Sequence, residues 1–431
     1  MQFGFRKNHS TVHPLVHFMN QMTNSLNKKH STVAIFCDLQ KAFDTVDYNI
    51  LLSKLDAVGV RGNELLWFKN YLSDRKQFVS IENVNSSLLD IILGVPQGSI
   101  LGPLLFLIYI NDIQFYSNLD NSLFADDTTL LKSHENLETL ANIVNSEFQK
   151  IVTFFRSHKL SLHPEKTKFM LFTNNRFEHL PEIFINYNDG DSTLNPIVPM
   201  SCINSQEKPY VKFLGVHFDP QLNFKFHISQ ISSKISKSLY YLRSAKNFLN
   251  QRSLKFIYYA TFHAHLIYAI QIWSCTYESN IKSLFTKQKY AIRIISNARY
   301  NAHTEPLFKN LKILPLPSLC EFFKIQFMQS FVQGFLPSSF ENMWTNNRIR
   351  RQDQAQIELR NDMQLHIPFN RTKSISLHPL IHFPTLWEAF PDEAIKFIRN
   401  KQEFNTSLKQ HYLEKLSAVV ACNRLYCPSC S

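Results

Sequence analysis

Residues 122–131 read SLFADDTTLL, two short apolar runs on either side of an acidic pair. Each run is the length of a short strand, and the pair falls where they meet. The stretch therefore predicts a hairpin with Asp126 and Asp127 at its tip. Adjacent carboxylates repel, and partial burial sharpens the repulsion. Two arrangements relieve it: a tip that stands in solvent, or a bound cation.

Working outward, STVAIFCDL (31–39) is short, apolar and rich in β-branched residues, the pattern of a buried strand. Its last carboxylate is Asp38. In one mixed sheet the two strands can lie side by side, which would gather Asp38, Asp126 and Asp127 into a cluster. Divalent metal ions are then the natural occupants. Two Mg²⁺ ions about 3.5–4 Å apart stabilise the attacking and leaving oxygens of an in-line phosphoryl transfer. Other residues fit such a centre. Gln97, in PQG (96–98), carries an amide able to hydrogen-bond a sugar or base edge, beside the flexible Gly98. Phe43 lies five residues beyond Asp38, close enough to pack against whatever the metal holds. Lys166 sits in a loop where a cation can meet a phosphate or donate a proton. Each also has a plain reading: core phenylalanine, loop glutamine, solvated lysine.

The remaining pattern predicts helices at 14–29, 49–59, 64–74, 104–113 and 136–158. A hairpin at 77–93 turns at Asn83–Asn85, a Gly/Pro-punctuated loop covers 94–103, and 162–172 reads as loop and strand. Residues 173–208 are polar and predict a surface hairpin with an extended loop, and 211–219 returns to strand character. From there the texture is mostly helical. Ile228, Ile231, Ile235, Leu239 and Leu242 form a stripe, with Lys234, Lys237 and Arg243 off it. A second basic helix, 280–296, carries Lys282, Lys287, Lys289 and Arg293.

Composition sets the outer bounds. The 431 residues are 44% hydrophobic and 19% charged, which excludes global disorder. Lys and Arg exceed Asp and Glu by 46 to 34, a net +12 that favours an acidic partner, most simply nucleic acid. Seven scattered cysteines are not a secreted disulfide framework and suit a reducing compartment. No signal-peptide pattern opens the sequence. The longest apolar segment, 91–110, holds two prolines, three glycines and a glutamine, which argues against a membrane span.

Six collinear blocks carry a resemblance: QFGFRKNHST (2–11), AIFCDLQKAFDTVDYNILLSKL (34–55), GVPQGSILGPLLFLIYINDI (94–113), LFADDTTLL (123–131), LHPEKTKFM (162–170) and FLGVHFD (213–219). Together they resemble the reverse transcriptases of non-LTR retrotransposons, particularly the jockey-like group. The resemblance implies an α+β fold: a right-hand polymerase palm, an antiparallel sheet backed by helices, with partial fingers. A mostly helical thumb and C-terminal region would follow. It implies a domain division of 1–222 for fingers remnant and palm, 223–300 for a duplex-binding thumb, and 301–431 for a helical region with a cysteine-containing tail.

By the same resemblance, Asp38, Asp126 and Asp127 would hold two Mg²⁺ ions, or Mn²⁺ in their place. Phe43 would be the gate against a 2′-hydroxyl, and Gln97 and Gly98 would help bind the nucleotide. Lys166 would be a general acid for pyrophosphate. Phe213, Leu214 and Gly215 would form the primer grip. Asp44 and Asp47 would be structural, or would support the site from behind. The activity implied is RNA-directed DNA polymerisation, with an RNA template, a DNA primer or target and deoxynucleotides as partners, and no membrane. Its location would be intracellular, in nucleus or cytoplasm. The alternatives are a truncated, inactive derivative that only binds nucleic acid, and a group II intron-type maturase. By the same resemblance, finger strands and an upstream endonuclease would precede the QFGFR block, so the sequence looks like a 5′-truncated copy or a partial gene model. At the other end, Cys422, Cys427 and Cys430 with His411 offer one histidine and three cysteines for zinc, against the simpler reading of free cysteines on a tail.

Overall fold

The run Ser31–Cys37 forms strand β1, and every residue in it is buried. Its β-branched and apolar side chains suit a strand covered on both faces. The computed structural model describes residues 1–163, 165–173, 185–188, 194–197, 210–344, 365, 367–370, 372–390 and 400–418. In it the chain divides into two compact units, residues 1–14 with 24–214 and residues 15–23 with 215–431.

In the first unit β1 lies inside a four-stranded antiparallel sheet, ordered β6-β7-β1-β8. Strand β6 is Asp120–Phe124, β7 is Asp127–His134 and β8 is Lys168–Phe172. The register runs from Ser31 opposite His134 to Cys37 opposite Thr128. On the other side it runs from Thr32 opposite Phe172 to Phe36 opposite Lys168. Strands β6 and β7 close at Phe124 opposite Asp127, so the acidic pair does stand at a hairpin tip.

Helices α4 (Leu101–Ile110) and α5 (Leu137–Ser157) back this sheet. Leu105, Phe106, Phe148 and Ile151 from these helices share one core with Val33 and Ile35 of β1. Helix α5 has the amphipathic pattern its sequence predicts, and Asn136 caps it by accepting a hydrogen bond from the Thr139 N–H at 2.9 Å. Helix α1 (Val12–Asn27), expected at 14–29, precedes β1 in the chain, and helices α2 (Tyr48–Ala57) and α3 (Gly62–Leu72) follow it. Beyond α3, β2 (Arg75–Gln77) pairs with β5 (Leu89–Ile91), and β3 (Ser80–Ile81) with β4 (Val84–Asn85). The tip of that double hairpin is Glu82–Asn83, both at positive φ, one residue earlier than the sequence predicts.

Two further elements differ from expectation. Helix α4 starts at Leu101 rather than 104, because proline is tolerated in a first helical turn where no N–H is needed. Gly102 permits the early start: a Cβ there would lie 2.7 Å from the Pro96 carbonyl oxygen. Residues 211–219 are two three-residue strands, β11 (Val211–Phe213) and β12 (Val216–Phe218), interrupted at Leu214–Gly215. Strands β9 (Ile185–Asn188) and β10 (Leu194–Ile197) pair antiparallel within the predicted surface hairpin, whose extended loop lies outside the described residues.

The second unit is helical. Helix α6 (Lys225–Ala245) buries Ile228, Ile231, Ile235 and Leu242, the predicted stripe, while Leu239 is half-buried. Helix α7 (Gln251–Ile257) runs on through a π-turn at Tyr258–His263. The helix Glu278–Ile295 is held by Gln288, which is fully buried and fully bonded. Its amide donates to the Tyr258 hydroxyl and the Leu314 carbonyl, each at 3.0 Å, and accepts from the Leu316 N–H at 2.7 Å. Helices Glu305–Leu311, Leu316–Val332, Pro379–Glu388 and Lys401–Ala418 follow it in the chain. Cys422, Cys427 and Cys430 lie outside the described residues. Among the described residues no helix is long and apolar enough to cross a membrane.

Candidate active site

Asp38 is the first residue past β1. Since Cys37 faces Thr128, one further step along the ladder brings residue 38 level with residue 127. Its backbone is pinned on both sides. The Asp38 N–H donates to the Thr167 hydroxyl at 3.2 Å, and its carbonyl accepts from the His163 N–H at 2.8 Å. These bonds stitch His163 and Thr167 to the strand end and bring Lys166 with them. The Lys166 ammonium lies 3.7 Å from the Asp38 carboxylate, both solvent-accessible.

Asp126 is half-buried in the hairpin turn, and Asp127 is exposed at the start of β7. The Asp127 carboxyl is nonetheless pushed up from 3.8 to about 6. Lost hydration is the largest cause, and the negative charges of Asp126 and Asp38 add to it; Lys212 opposes them. The charges of Asp126 and Asp38 thus both bear on Asp127, where negative charge is in excess. Among the described residues, no three His, Cys, Asp or Glu side chains converge into a ready-made metal cage. The donor set fits a divalent ion in chemistry: hard carboxylate oxygens whose mutual repulsion a cation relieves.

Phe43 and Gln97, the residues expected on the nucleotide side, both lie next to α4. Phe43 stacks on Phe106, ring centroids 4.4 Å apart, and meets the exposed Phe5 edge-on at 6.3 Å. The GVPQ loop is tied to the segment after Phe43 by two backbone bonds, Val95 N–H to the Phe43 carbonyl at 2.9 Å and Gly94 N–H to the Val46 carbonyl at 2.8 Å. Gly94 sits at φ 84°, and a Cβ there would come within 2.7 Å of the Asp44 carbonyl oxygen, so only glycine fits. The Gln97 amide donates to the Asp44 carboxylate at 2.7 Å. Gly98, at φ 78°, faces open space. Asp47 is structural. It caps α2 by accepting from the Ile50 N–H at 3.1 Å and pairs with Lys159 at 2.5 Å. Burial alone would raise its pKa; these bonds outweigh it and hold the carboxyl below its ordinary range.

Of the predicted grip, Phe213 is buried with its ring 5.5 Å from that of Phe36. Leu214 and Gly215 take left-handed backbone, φ 43° and 79°, which forms the tight turn between β11 and β12. Two contributors were not singled out in the sequence, Thr167 and Lys212, while Asp44 supports Gln97 from behind. Lys212 carries a faint signal, as the polar residue alternating between buried Val211 and Phe213. A backbone-directed bond such as that to Thr167 leaves no sequence pattern.

A strand-end aspartate beside an acidic hairpin tip, on an antiparallel sheet backed by helices, defines the palm of a right-hand polymerase. Residues 1–218 match the family described as reverse transcriptase (RNA-dependent DNA polymerase), and the chain belongs to it. Among curated relatives, it is 26% identical over 332 residues to a probable RNA-directed DNA polymerase from transposon BS of Drosophila melanogaster, covering 72% of this chain and 34% of that protein. It is 25% identical over 324 residues to the RNA-directed DNA polymerase from mobile element jockey of the same fly, covering 72% and 33%. The chain thus spans about a third of the length of the relatives it matches. Candida albicans telomerase, solved with a fragment of telomeric RNA, aligns at a TM-score of 0.30 and 12% identity over 80% of this chain and 53% of that one.

Proposed function

We propose that this chain is the polymerase portion of a jockey-like retrotransposon protein, an RNA-directed DNA polymerase that extends a nucleic-acid 3′-hydroxyl with deoxynucleotides. The observation that carries this reading is the register of β1 and β7, with Cys37 opposite Thr128, which sets Asp38 beside the Asp126–Asp127 tip. Asp38, Asp126 and Asp127 hold the divalent ions. Two Mg²⁺ ions, when bound, supply charge stabilisation to the attacking 3′-oxygen and the leaving pyrophosphate. Phe43, backed by Phe106, presents a rigid ring where a ribose 2′-hydroxyl would clash. Gln97 and Gly98 receive the nucleotide, Gln97 with its amide turned by Asp44. Lys166, 3.7 Å from Asp38, supplies a proton or positive charge to the pyrophosphate side.

Residues 1–222 act as palm with a finger remnant. Residues 223–300 act as a thumb whose exposed Lys234 and Lys237 meet the duplex backbone, and residues 301–431 extend the helical part. The RNA template and DNA primer are the macromolecular partners. Primer extension on an RNA template with Mg²⁺ and deoxynucleotides tests the reading, with an Asp126→Asn, Asp127→Asn double variant beside the wild type. Extension by the wild type alone is expected. No extension, with salt-sensitive duplex binding retained by both proteins, would leave a nucleic-acid-binding protein and end the polymerase reading.

A further inference from the structure

The acidic tip stands on a strained residue. Ala125, immediately before Asp126, has φ 58°, a conformation that L residues other than glycine, Asn and Asp seldom adopt. Something must hold it there, and the sheet hydrogen bonds end one residue earlier, at Phe124.

The N-terminal QFG segment does this. Gln2 bridges to Leu123 in parallel, with Phe3 N–H to the Leu123 carbonyl and Leu123 N–H to the Met1 carbonyl, each at 2.8 Å. The Gln2 side chain is buried and addresses Ala125 by both backbone groups. Its Oε1 accepts from the Ala125 N–H at 3.1 Å and from the Gly4 N–H at 2.7 Å, and its Nε2 reaches the Ala125 carbonyl at 3.4 Å. A primary amide carries both donor and acceptor; a carboxylate or thioether of similar length does not. Gly4 closes the contact, since a Cβ there would lie 2.3 Å from the Ala125 nitrogen. The Arg6 guanidinium fastens the segment from the other side, donating to the Gln2 carbonyl at 3.1 Å.

We infer that Gln2 is a positioning residue: its amide, with Gly4 packed beneath it, fixes the Ala125 turn so that Asp126 and Asp127 are presented for metal binding. This rests on the reading of the tip as the metal-holding end of the palm. The QFGFR block, one of the six that carry the resemblance, thereby acquires a task inside the palm.

The test uses the full chain, with Gln2→Met and, as an independent route to the same turn, Gly4→Ala. Two readouts need no turnover: amide hydrogen exchange across 123–128, and Mn²⁺ affinity from the loss of its aqueous paramagnetic resonance signal. Losing these bonds is expected to speed exchange at Ala125 about tenfold and to weaken Mn²⁺ binding by a similar factor, while β1 and α5 amides keep their protection. In primer extension the same variants should require more Mg²⁺ for half-maximal rate, with duplex affinity unchanged. Wild-type exchange and wild-type Mn²⁺ affinity in both variants would overturn the inference. So would a uniform loss of protection across the whole first unit, the mark of a merely structural residue. A wild type that binds Mn²⁺ but extends no primer ends the polymerase reading, while the exchange and Mn²⁺ comparisons still decide the role of Gln2.

Discussion

Asp127 carries the tension of the site in a single residue. Its carboxyl titrates near 6 when folded, against 3.8 for an isolated group, because it has lost water and faces the charges of Asp126 and Asp38. A folded-state pKa above the unfolded one means that the folded protein holds a proton that the unfolded chain releases. The contribution to stability is therefore full below about pH 4 and is lost as pH rises through about 6. With divalent ions chelated, Asp127→Asn should be more stable than wild type at pH 7.5, and the difference should vanish near pH 4. Urea midpoints in EDTA at the two pH values check this; equal midpoints at pH 7.5 would show that the carboxylates do not strain the fold. The acidic tip was legible in the sequence because two charges between apolar runs violate the pattern around them. Gln2 was not, because a side chain that bonds to backbone can serve any neighbouring sequence.

The loop before α4 works as an element rather than as single residues. Two backbone bonds, the left-handed Gly94 and the Gln97–Asp44 bond lock it to the segment that bears Phe43. Gln97 spends one N–H on Asp44, which fixes the rotation of its amide and leaves its carbonyl and second N–H for another partner. Asp44→Leu should free that amide and raise the KM for the incoming nucleotide about three- to tenfold, with kcat changed less, the scale of one hydrogen bond. Asp44→Asn keeps an acceptor and should stay near wild type. Single-nucleotide extension measures both; equal damage from the two variants would show that charge, not the hydrogen bond, matters. The sequence marks this loop by its glycines and prolines but carries it three residues too far, since Pro103 reads as a breaker and is in fact first-turn helix. The Asp44–Gln97 pairing, 53 residues apart, has no local signal at all.

Across the whole molecule the decisive quantity is where the +12 charge resides. Counting cations along the two basic helices overstates what a duplex can touch. On Glu278–Ile295, the Lys287 ammonium binds the Ser232 and Ser236 hydroxyls, each at 2.6 Å, and Arg293 donates to the Ala302 carbonyl at 2.9 Å. Those charges hold the second unit together. Helix α6 is different: Lys234 and Lys237 are exposed, one turn apart, with Tyr241 on the same side, while Ile231 and Ile235 are buried. If this face tracks a nucleic-acid backbone, each lysine displaces about one counterion from a phosphate. The slope of log affinity against log salt should then shrink by about 0.7–0.9 for each lysine removed, whatever the base sequence. Lys234→Ala with Lys237→Ala should therefore flatten the slope by about 1.4–1.8 and weaken binding most at low salt. Lys287→Ala should lower the unfolding midpoint and leave the slope unchanged, because its charge already faces the protein. Anisotropy of a labelled RNA–DNA duplex, titrated at several KCl concentrations, separates the two effects. An unchanged slope in the double variant would remove α6 from the duplex interface and with it the thumb assignment of residues 223–300.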